Sequence, residues 1–172
     1  MFAKIALALA VTAGVSMTGI ASAEARPDVV SYRGDYAPGT IVVKTKERRL
    51  YLIVDQDRAI RYPVGVGKAG MQWRGLSRID GKYLRPAWVP PPEVKRDHPE
   101  LPDFVPGGSP HNPMGVAALT LAGDQYAIHG TTQAMRKSVG TFASYGCIRM
   151  LNEDIADLYP RVGVGTPVMV VP

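Results

Sequence analysis

Nine of the fifteen prolines in this 172-residue chain lie within residues 86–113, and no other feature of the sequence constrains the fold as strongly. Proline has no backbone N–H and its ring breaks helices, so this stretch can complete neither a sheet ladder nor a long helix. We therefore predict a long loop with one helical turn near Glu93. Trp88 and Phe104 give the loop apolar side chains to bury. This favours an ordered wall of a binding site over the alternative, a disordered insertion.

Short runs of β-branched and aromatic residues flank this loop, which is typical of strands. The runs before the loop are TIVVKT, RRLYLIV and AIRYPVGVG, and those after it are GVAALTLA, QYAIHG and TPVMVV. Before the last run, Asn152 precedes acidic residues and apolar residues at helical spacing. This pattern predicts a short amphipathic helix with Asn152 as its N-cap. The sequence thus predicts a mostly β domain with one or two short helices.

The N-terminal segment is typical of a secretory signal peptide cleaved after Ala23. It contains Lys4, an apolar stretch over residues 5–20, and small residues at the cleavage position. The stretch is short for a membrane span and lacks a positive stop, which disfavours a membrane anchor. The predicted organisation is a signal peptide over residues 1–23, a flexible leader over 24–39 and one folded domain over 40–172.

The composition excludes several kinds of site. Twenty Lys and Arg against fifteen Asp and Glu give a formal net charge of +5, without a dense basic run. An exported protein does not meet genomic DNA, so we expect no nucleic-acid partner and only weak attraction to an anionic polymer. One cysteine cannot form an internal disulfide, and three histidines leave little room for an all-protein metal cage. A lone cysteine in an exported chain is either a buried, unreactive residue or a thiol that takes part in catalysis.

That cysteine, Cys147, lies in SYGCIRM, directly after Gly146 and just ahead of the predicted helix. A glycine lets the backbone approach a ligand closely, and successive N–H groups in such a turn can hold an oxyanion. His129 ends a predicted strand and is the usual type of base for a cysteine nucleophile. The letters GVGKAG over residues 65–70 match a dinucleotide fingerprint, but they lead towards another strand. We interpret them as a glycine-rich turn.

YAIHGTT followed by ASYGCIRMLNEDIADLY resembles the L,D-transpeptidase catalytic domain of the YkuD type, and NPMGVAALTL and RPAWVPPPE resemble the same family. The resemblance covers about residues 40–171 and implies an L,D-transpeptidase-type β-sandwich. It implies that Cys147 is the nucleophile and His129 the general base. It also implies that the backbone carbonyl of Gly130 orients the imidazole, as a third triad member would.

The resemblance assigns further residues around the cysteine. Ser144 and Gly146 belong with Cys147 to the oxyanion turn, and Arg149 is a binder of a substrate carboxylate or an organiser of the site. Tyr145 stands where the family usually has histidine. A phenol carries no positive charge at neutral pH, so we expect it to act by shape and one hydrogen bond.

Residues of the Pro-rich loop and one further residue of the motif complete the candidate site. Trp88 and His111, in the Pro-rich loop, are candidates for the substrate wall, whereas His98 is expected at the surface. Asn152 matches the motif asparagine, with helix capping as the alternative role. The resemblance implies no metal and no cofactor.

The resemblance implies an exported, periplasmic enzyme of cell-wall biogenesis and cell shape. Cys147 would attack the amide between diaminopimelate and the terminal D-Ala of a peptidoglycan tetrapeptide stem, leaving a thioester. The amine acceptor would be diaminopimelate of another stem, a lysine of an envelope protein or a free D-amino acid. Water as the acceptor would make the protein an L,D-carboxypeptidase. No stable membrane anchor is expected after signal cleavage.

Two other classes of function stay open at this point. The domain could be a non-catalytic peptidoglycan binder, with Tyr145 as a sign of a decayed site. The joint presence of Cys147, His129 and Arg149 argues against this class. The chain could also be a secreted cysteine hydrolase acting on other peptides.

Overall fold

In a computed structural model of the chain, the structure describes residues 28–123 and 126–172. The predicted signal peptide lies outside these residues. The strands of the described part are β1 (Asp28–Ser31), β2 (Ile41–Lys44), β3 (Arg49–Ile53), β4 (Arg58–Pro63), β5 (Val66–Gly67), β6 (Gly75–Leu84), β7 (Ala117–Leu121), β8 (Ala127–His129), β9 (Phe142–Ser144), β10 (Ile148–Arg149) and β11 (Pro167–Val171). Its α-helices are α1 (Pro92–Asp97) and α2 (Asn152–Leu158). The prediction of a mostly β domain is confirmed.

Nine of these strands form one sheet in the order β1-β4-β3-β2-β11-β6-β7-β8-β10, and β5 pairs separately with β9. The long strand β6 joins the two halves of the sheet. Its first residues pair with β11 and its later residues with β7, and the register shifts between Ile79 and Gly81. A bulge bends a strand and increases its twist, so the two halves enclose one apolar core.

The core of the domain combines residues from both halves of the sheet with the apolar face of α2. The largest buried members include Ile41, Leu50, Ile79, Leu119, Ile128, Ile148, Ile155 and Leu158. Three successive residues of β2 are fully buried because both faces of this strand are covered. The two halves of the bent sheet share this core, which agrees with the β-sandwich type of fold that the resemblance implied.

The predicted flexible leader over residues 24–39 is wrong for its described part. Residues 28–31 form β1, which pairs antiparallel with β4 along its whole length. Tyr32 follows the strand and packs on Tyr51, with ring centroids 5.0 Å apart, in a second apolar cluster. The polar and glycine-rich composition suggested a flexible segment, but its pairing partner lies about thirty residues further along the chain.

The Pro-rich segment is ordered, and it contains the predicted helical turn as α1. Proline at the first position of α1 suits a helix start, where its missing N–H has no partner to lose. Trp88 and Val105 bridge across the loop through two backbone hydrogen bonds of 2.9 and 2.8 Å.

None of the helices in residues 28–123 and 126–172 is long and apolar enough to cross a membrane.

One buried asparagine, Asn112, holds this segment together. Its amide Nδ2 donates to the carbonyl of Pro86 at 2.8 Å and to that of Pro106 at 3.1 Å. Its Oδ1 accepts the N–H of Met114 at 2.9 Å. A loop that is poor in backbone donors thus obtains them from a side chain.

Candidate active site

A pocket of about 480 Å³ lies between the sheet edge at β10 and the Pro-rich segment. Trp88 and His111 line it, where the sequence analysis expected a substrate wall. His98 was expected at the surface; it is exposed but also lines the pocket, because the end of α1 faces this space. Sequence analysis missed other lining residues, among them Glu93, Val94, Met114 and Met135.

Parallel pairing of β8 with β10 brings Cys147 and His129 to the same pocket. The ladder aligns Ile148 with Ile128 and Arg149 with His129. Cys147 lies one residue before β10, and His129 is the last residue of β8. In this parallel register Cys147 lies beside Ala127, two residues before His129 along the strand direction, and both Cys147 and His129 line the pocket.

The His129 side chain is buried, with 4% of its surface exposed. Its Nδ1 lies 2.7 Å from the carbonyl oxygen of Gly130, which is the contact that the resemblance implied. A carbonyl oxygen only accepts, so Nδ1 carries the proton and Nε2 keeps its lone pair. Burial, together with the charge of Arg149, lowers the pKa of His129 to about 4, against the opposing effect of the Gly130 and Pro113 carbonyls. The imidazole is therefore neutral at pH 7.

The Cys147 thiol is also neutral at rest. Burial raises its pKa, and the negative charge of Glu93 acts in the same direction. A backbone hydrogen bond from Ala127 and the charge of Arg149 oppose this effect. A neutral thiol beside a neutral imidazole can react only if the proton moves from sulfur to nitrogen during attack.

The turn before Cys147 requires glycine. Gly146 has a φ of +122°, and a Cβ there would come within 2.2 Å of the Tyr126 ring. Trp73 stacks on Tyr126 with centroids 5.1 Å apart and donates its indole N–H to the Gly146 carbonyl at 3.0 Å. No motif in the sequence indicated these two aromatic residues, because their contact with the turn is long-range.

The hydrogen bonds of the turn show which of its polar groups already have partners. The N–H of Gly146 is already donated to Ser144 Oγ at 3.1 Å, and this hydroxyl donates to the Cys147 carbonyl at 2.6 Å. Ser144 is therefore a residue that shapes the turn. Within the described part of the chain, the N–H of Cys147 has no acceptor, so it can donate to a group in the pocket.

Asn152 is not the N-cap of α2. The helix begins at Asn152 itself, the N-cap is Leu151, and no side chain caps it. Asn152 Oδ1 instead accepts the N–H of Thr131 at 3.1 Å and that of Val116 at 3.3 Å. A Cβ on Gly130 would come within 2.3 Å of this oxygen. The side chain therefore positions the segment whose carbonyl holds His129.

Arg149 brings a positive charge to the pocket. Its backbone exchanges two hydrogen bonds of 2.8 Å with Gly65, in the predicted glycine-rich turn. A Cβ on Gly65 would lie within 2.5 Å of the Ser138 carbonyl, so glycine serves packing here. The side chain is partly buried, and its Nε has no hydrogen-bond partner among the described residues. The guanidinium is thus available to an anionic group.

Tyr145 connects the cysteine-bearing segment to α1. Its hydroxyl donates to Asp97 Oδ2 at 2.8 Å, the single hydrogen bond that the sequence analysis expected. Lys68 Nζ lies 3.8 Å from the centre of the Tyr145 ring and 3.8 Å from Asp97 Oδ2. The hydrogen bond from Tyr145 lowers the pKa of Asp97. We define Tyr145, Asp97 and Lys68 as the α1 anchor.

Comparison with known proteins identifies the family of this chain. The profile of the YkuD family, the L,D-transpeptidase catalytic domain, matches residues 38–170. The probable L,D-transpeptidase ErfK/SrfK of Escherichia coli K12 is 38% identical over 140 residues, which are 76% of this chain and 43% of that protein. The chain therefore matches less than half the length of this curated relative.

Two solved structures share the fold. An L,D-transpeptidase from Mycobacterium smegmatis superposes with a TM-score of 0.61 at 20% identity, covering 77% of this chain and 58% of that chain. A Brucella melitensis protein described as a probable carnitine operon oxidoreductase is 42% identical, with a TM-score of 0.55 and coverage of 85% and 93%. In this chain the dinucleotide-like pattern contains the short strand β5 followed by a turn, and the chain then leads into strand β6 rather than into a helix. The chain belongs to the YkuD family of L,D-transpeptidase catalytic domains.

Proposed function

We propose that this chain is an exported L,D-transpeptidase that acts on peptidoglycan tetrapeptide stems. The observation that carries the proposal is the pairing of β8 with β10, which puts Cys147 and the carbonyl-held His129 in one pocket. Membership of the family and the names of the curated relatives support this class of reaction. The open pocket, lined by the Pro-rich segment, gives an extended peptide a place to lie.

In the first half-reaction Cys147 sulfur attacks the carbonyl carbon between diaminopimelate and D-Ala while His129 takes the thiol proton. The N–H of Cys147 donates to the oxyanion of the tetrahedral intermediate. The C–N bond then breaks, and His129 returns the proton to the leaving amine of D-Ala. A thioester on Cys147 remains. Arg149 supplies the positive charge for a carboxylate of the stem.

In the second half-reaction an amine attacks the thioester carbonyl and His129 takes a proton from the amine. The C–S bond breaks, the sulfur regains a proton, and a new amide is released. The proposed acceptors are diaminopimelate of a second stem, a lysine of an envelope protein or a free D-amino acid. If water attacks instead, the product is a shortened stem and the activity is that of an L,D-carboxypeptidase.

The proposal includes export. The first 23 residues have the pattern of a signal peptide, residues 40–172 are the catalytic domain, and the cleaved chain would act in the periplasm. Its partners there would be peptidoglycan stems and, as an acceptor, an envelope protein. This placement fits a role in cell-wall biogenesis and cell shape.

Mass spectrometry of digested sacculi tests the function. Sacculi are incubated with the chain from Glu24 onwards, or with the Cys147→Ala variant as its matched control. We expect wild-type protein to yield stems joined through two diaminopimelates, with loss of D-Ala, and the variant to yield none at an unchanged melting temperature. Tripeptide stems alone would indicate the carboxypeptidase. The family is associated with acylation of its cysteine by carbapenems. Unchanged sacculi, together with a Cys147 thiol that a carbapenem does not modify, would therefore indicate a non-catalytic binder. Turnover by Cys147→Ala would contradict the proposal.

A further inference from the structure

Among the residues that the structure describes, Glu93 is the one charged residue of α1 without a hydrogen bond or ion pair. Lys95 pairs with Asp103 at 2.9 Å, and Asp97 is engaged in the α1 anchor. In residues 28–123 and 126–172, no hydrogen bond or ion pair involves the Glu93 carboxylate. This half-buried side chain instead lines the same pocket as Cys147 and Arg149.

The α1 anchor keeps Glu93 at this place. Asp97 lies four residues after Glu93, so the two side chains project from the same face of the helix. Asp97 is bonded to Tyr145, two residues before the nucleophile. One face of α1 therefore contacts the cysteine-bearing segment through Asp97 and also places Glu93 in the pocket.

A carboxylate at this place opposes the first chemical step. Its negative charge acts on Cys147 and disfavours the thiolate. Among residues 28–123 and 126–172 it also has no counter-ion, so a positively charged ligand group can take that place. Activation of the nucleophile therefore does not explain why a carboxylate is present at position 93, whereas binding of a cationic substrate group does explain it.

We propose that Glu93 binds a primary ammonium group of the substrate and, with Arg149, recognises a zwitterionic amino-acid centre. This inference rests on the proposed function. The side chain of diaminopimelate ends in such a centre, with an ammonium and a carboxylate on one carbon. A carboxylate and a guanidinium in one pocket match these two charges through charge-assisted hydrogen bonds. The same centre occurs in the acyl donor and in the acceptor stem.

The test compares wild-type protein with Glu93→Gln, which keeps the shape and removes the charge. Glu100→Gln is the matched control, because Glu100 lies in the same segment, is exposed and does not line the pocket. In the donor arm, Cys147 is acylated by a tetrapeptide with a free distal amine or by one whose distal amine is acetylated. In the acceptor arm, the measured quantity is the fraction of preformed thioester that is transferred to diaminopimelate rather than hydrolysed by water.

In the donor arm the preference is the rate with the free amine over the rate with the acetylated amine, and in the acceptor arm it is transfer to diaminopimelate over hydrolysis. We expect wild type and Glu100→Gln to show a preference of about tenfold or more in at least one arm, and Glu93→Gln to lose it. Loss in the donor arm assigns the ammonium to the donor stem, and loss in the acceptor arm assigns it to the acceptor. Acylation by faropenem, which has no primary amine, should be at least as fast in Glu93→Gln as in wild type.

Two results would overturn the inference. One is a Glu93→Gln variant that keeps the wild-type preference for the free amine in both arms. The other is an equal loss of rate with every substrate including faropenem, which would mean that Glu93 only shapes the pocket. A wild-type protein that no stem and no penem acylates would refute the proposed function instead.

Discussion

The floor and the wall of the pocket are built in different ways. We define the floor as residues 127–130 and 144–150, which carry the candidate catalytic groups, and the wall as residues 86–114. Strand pairing holds the floor, where β8 lies between β7 and β10 and is fully buried. The wall contains only the short helix α1, and buried or anchored polar side chains hold it.

This difference follows from where each region finds its backbone hydrogen bonds. Each residue of β8 can pair with neighbouring strands, whereas the prolines of the wall donate nothing. Asn112 supplies the missing donors to the Pro86 and Pro106 carbonyls, and Tyr145 fixes α1 through Asp97. Changes in the floor should therefore affect chemistry, and changes in the wall should affect binding and local stability.

The largest expected effect is on the floor. His129→Ala should lower the rate of Cys147 acylation by about 10²–10⁴-fold, because general base catalysis typically contributes that much. Stopped-flow acylation by a carbapenem measures the rate, and Glu100→Gln, which is exposed and does not line the pocket, serves as the control. A near-normal rate in His129→Ala would place the base elsewhere, with Tyr145 or a water molecule as the next candidates.

The largest expected effect in the wall is on stability. Asn112→Leu keeps the volume but leaves buried carbonyls without donors, so the free energy of unfolding should fall by about 2–4 kcal/mol. Urea denaturation measures it, and hydrogen exchange should show the loss concentrated in residues 86–114. A variant as stable as wild type, with an equally protected wall, would show that Asn112 does not hold this segment.

Trp88 tests whether the wall contacts substrate. Trp88→Ala removes a large apolar surface from the pocket and keeps the backbone bridge to Val105. We expect KM for the stem peptide to rise by about tenfold, with a smaller effect on stability. The neighbouring Val89→Ala, at an exposed position, should change neither. Parallel losses of melting temperature and activity would make Trp88 a purely structural residue.

The smallest expected effect is on the α1 anchor. Tyr145→Phe removes the hydrogen bond to Asp97 but keeps the ring under Lys68, so acylation should fall by no more than about threefold. Because Tyr145 lowers the pKa of Asp97, that pKa should rise in the variant, which NMR titration can measure. The stabilisation by this bond is present above the unfolded pKa of about 3.9 and is lost as pH falls through the folded pKa.

Tyr145→Phe also tests the assignment of proton transfer. If the folded variant is no longer acylated by a carbapenem, the phenolic hydroxyl is a catalytic group and His129 does not carry all proton transfer. Tyr145→His is the complementary variant, because it restores the residue that is usual in the family. We expect it to keep acylation and to change the distribution of products.

Local signals in the sequence were sufficient for much of the fold. β-branched runs predicted the strands of the domain, nine prolines predicted the wall, and the proline at its start suited α1. The family motif implied the contact between His129 and the Gly130 carbonyl. This contact joins two adjacent residues, so a short motif is enough to contain it. Such features depend on neighbouring residues, which the sequence shows directly.

Only the tertiary structure decided the features that join distant segments. The pairing of β1 with β4, the bonds from Val116 and Thr131 to Asn152, and the use of the Gly146 N–H by Ser144 all contradict local expectations. Glu93 had no sequence signal, because its position in the pocket depends on where Asp97 meets Tyr145. A polar side chain takes whichever partner the folded backbone brings within reach, so its role follows from packing rather than from its neighbours in the chain.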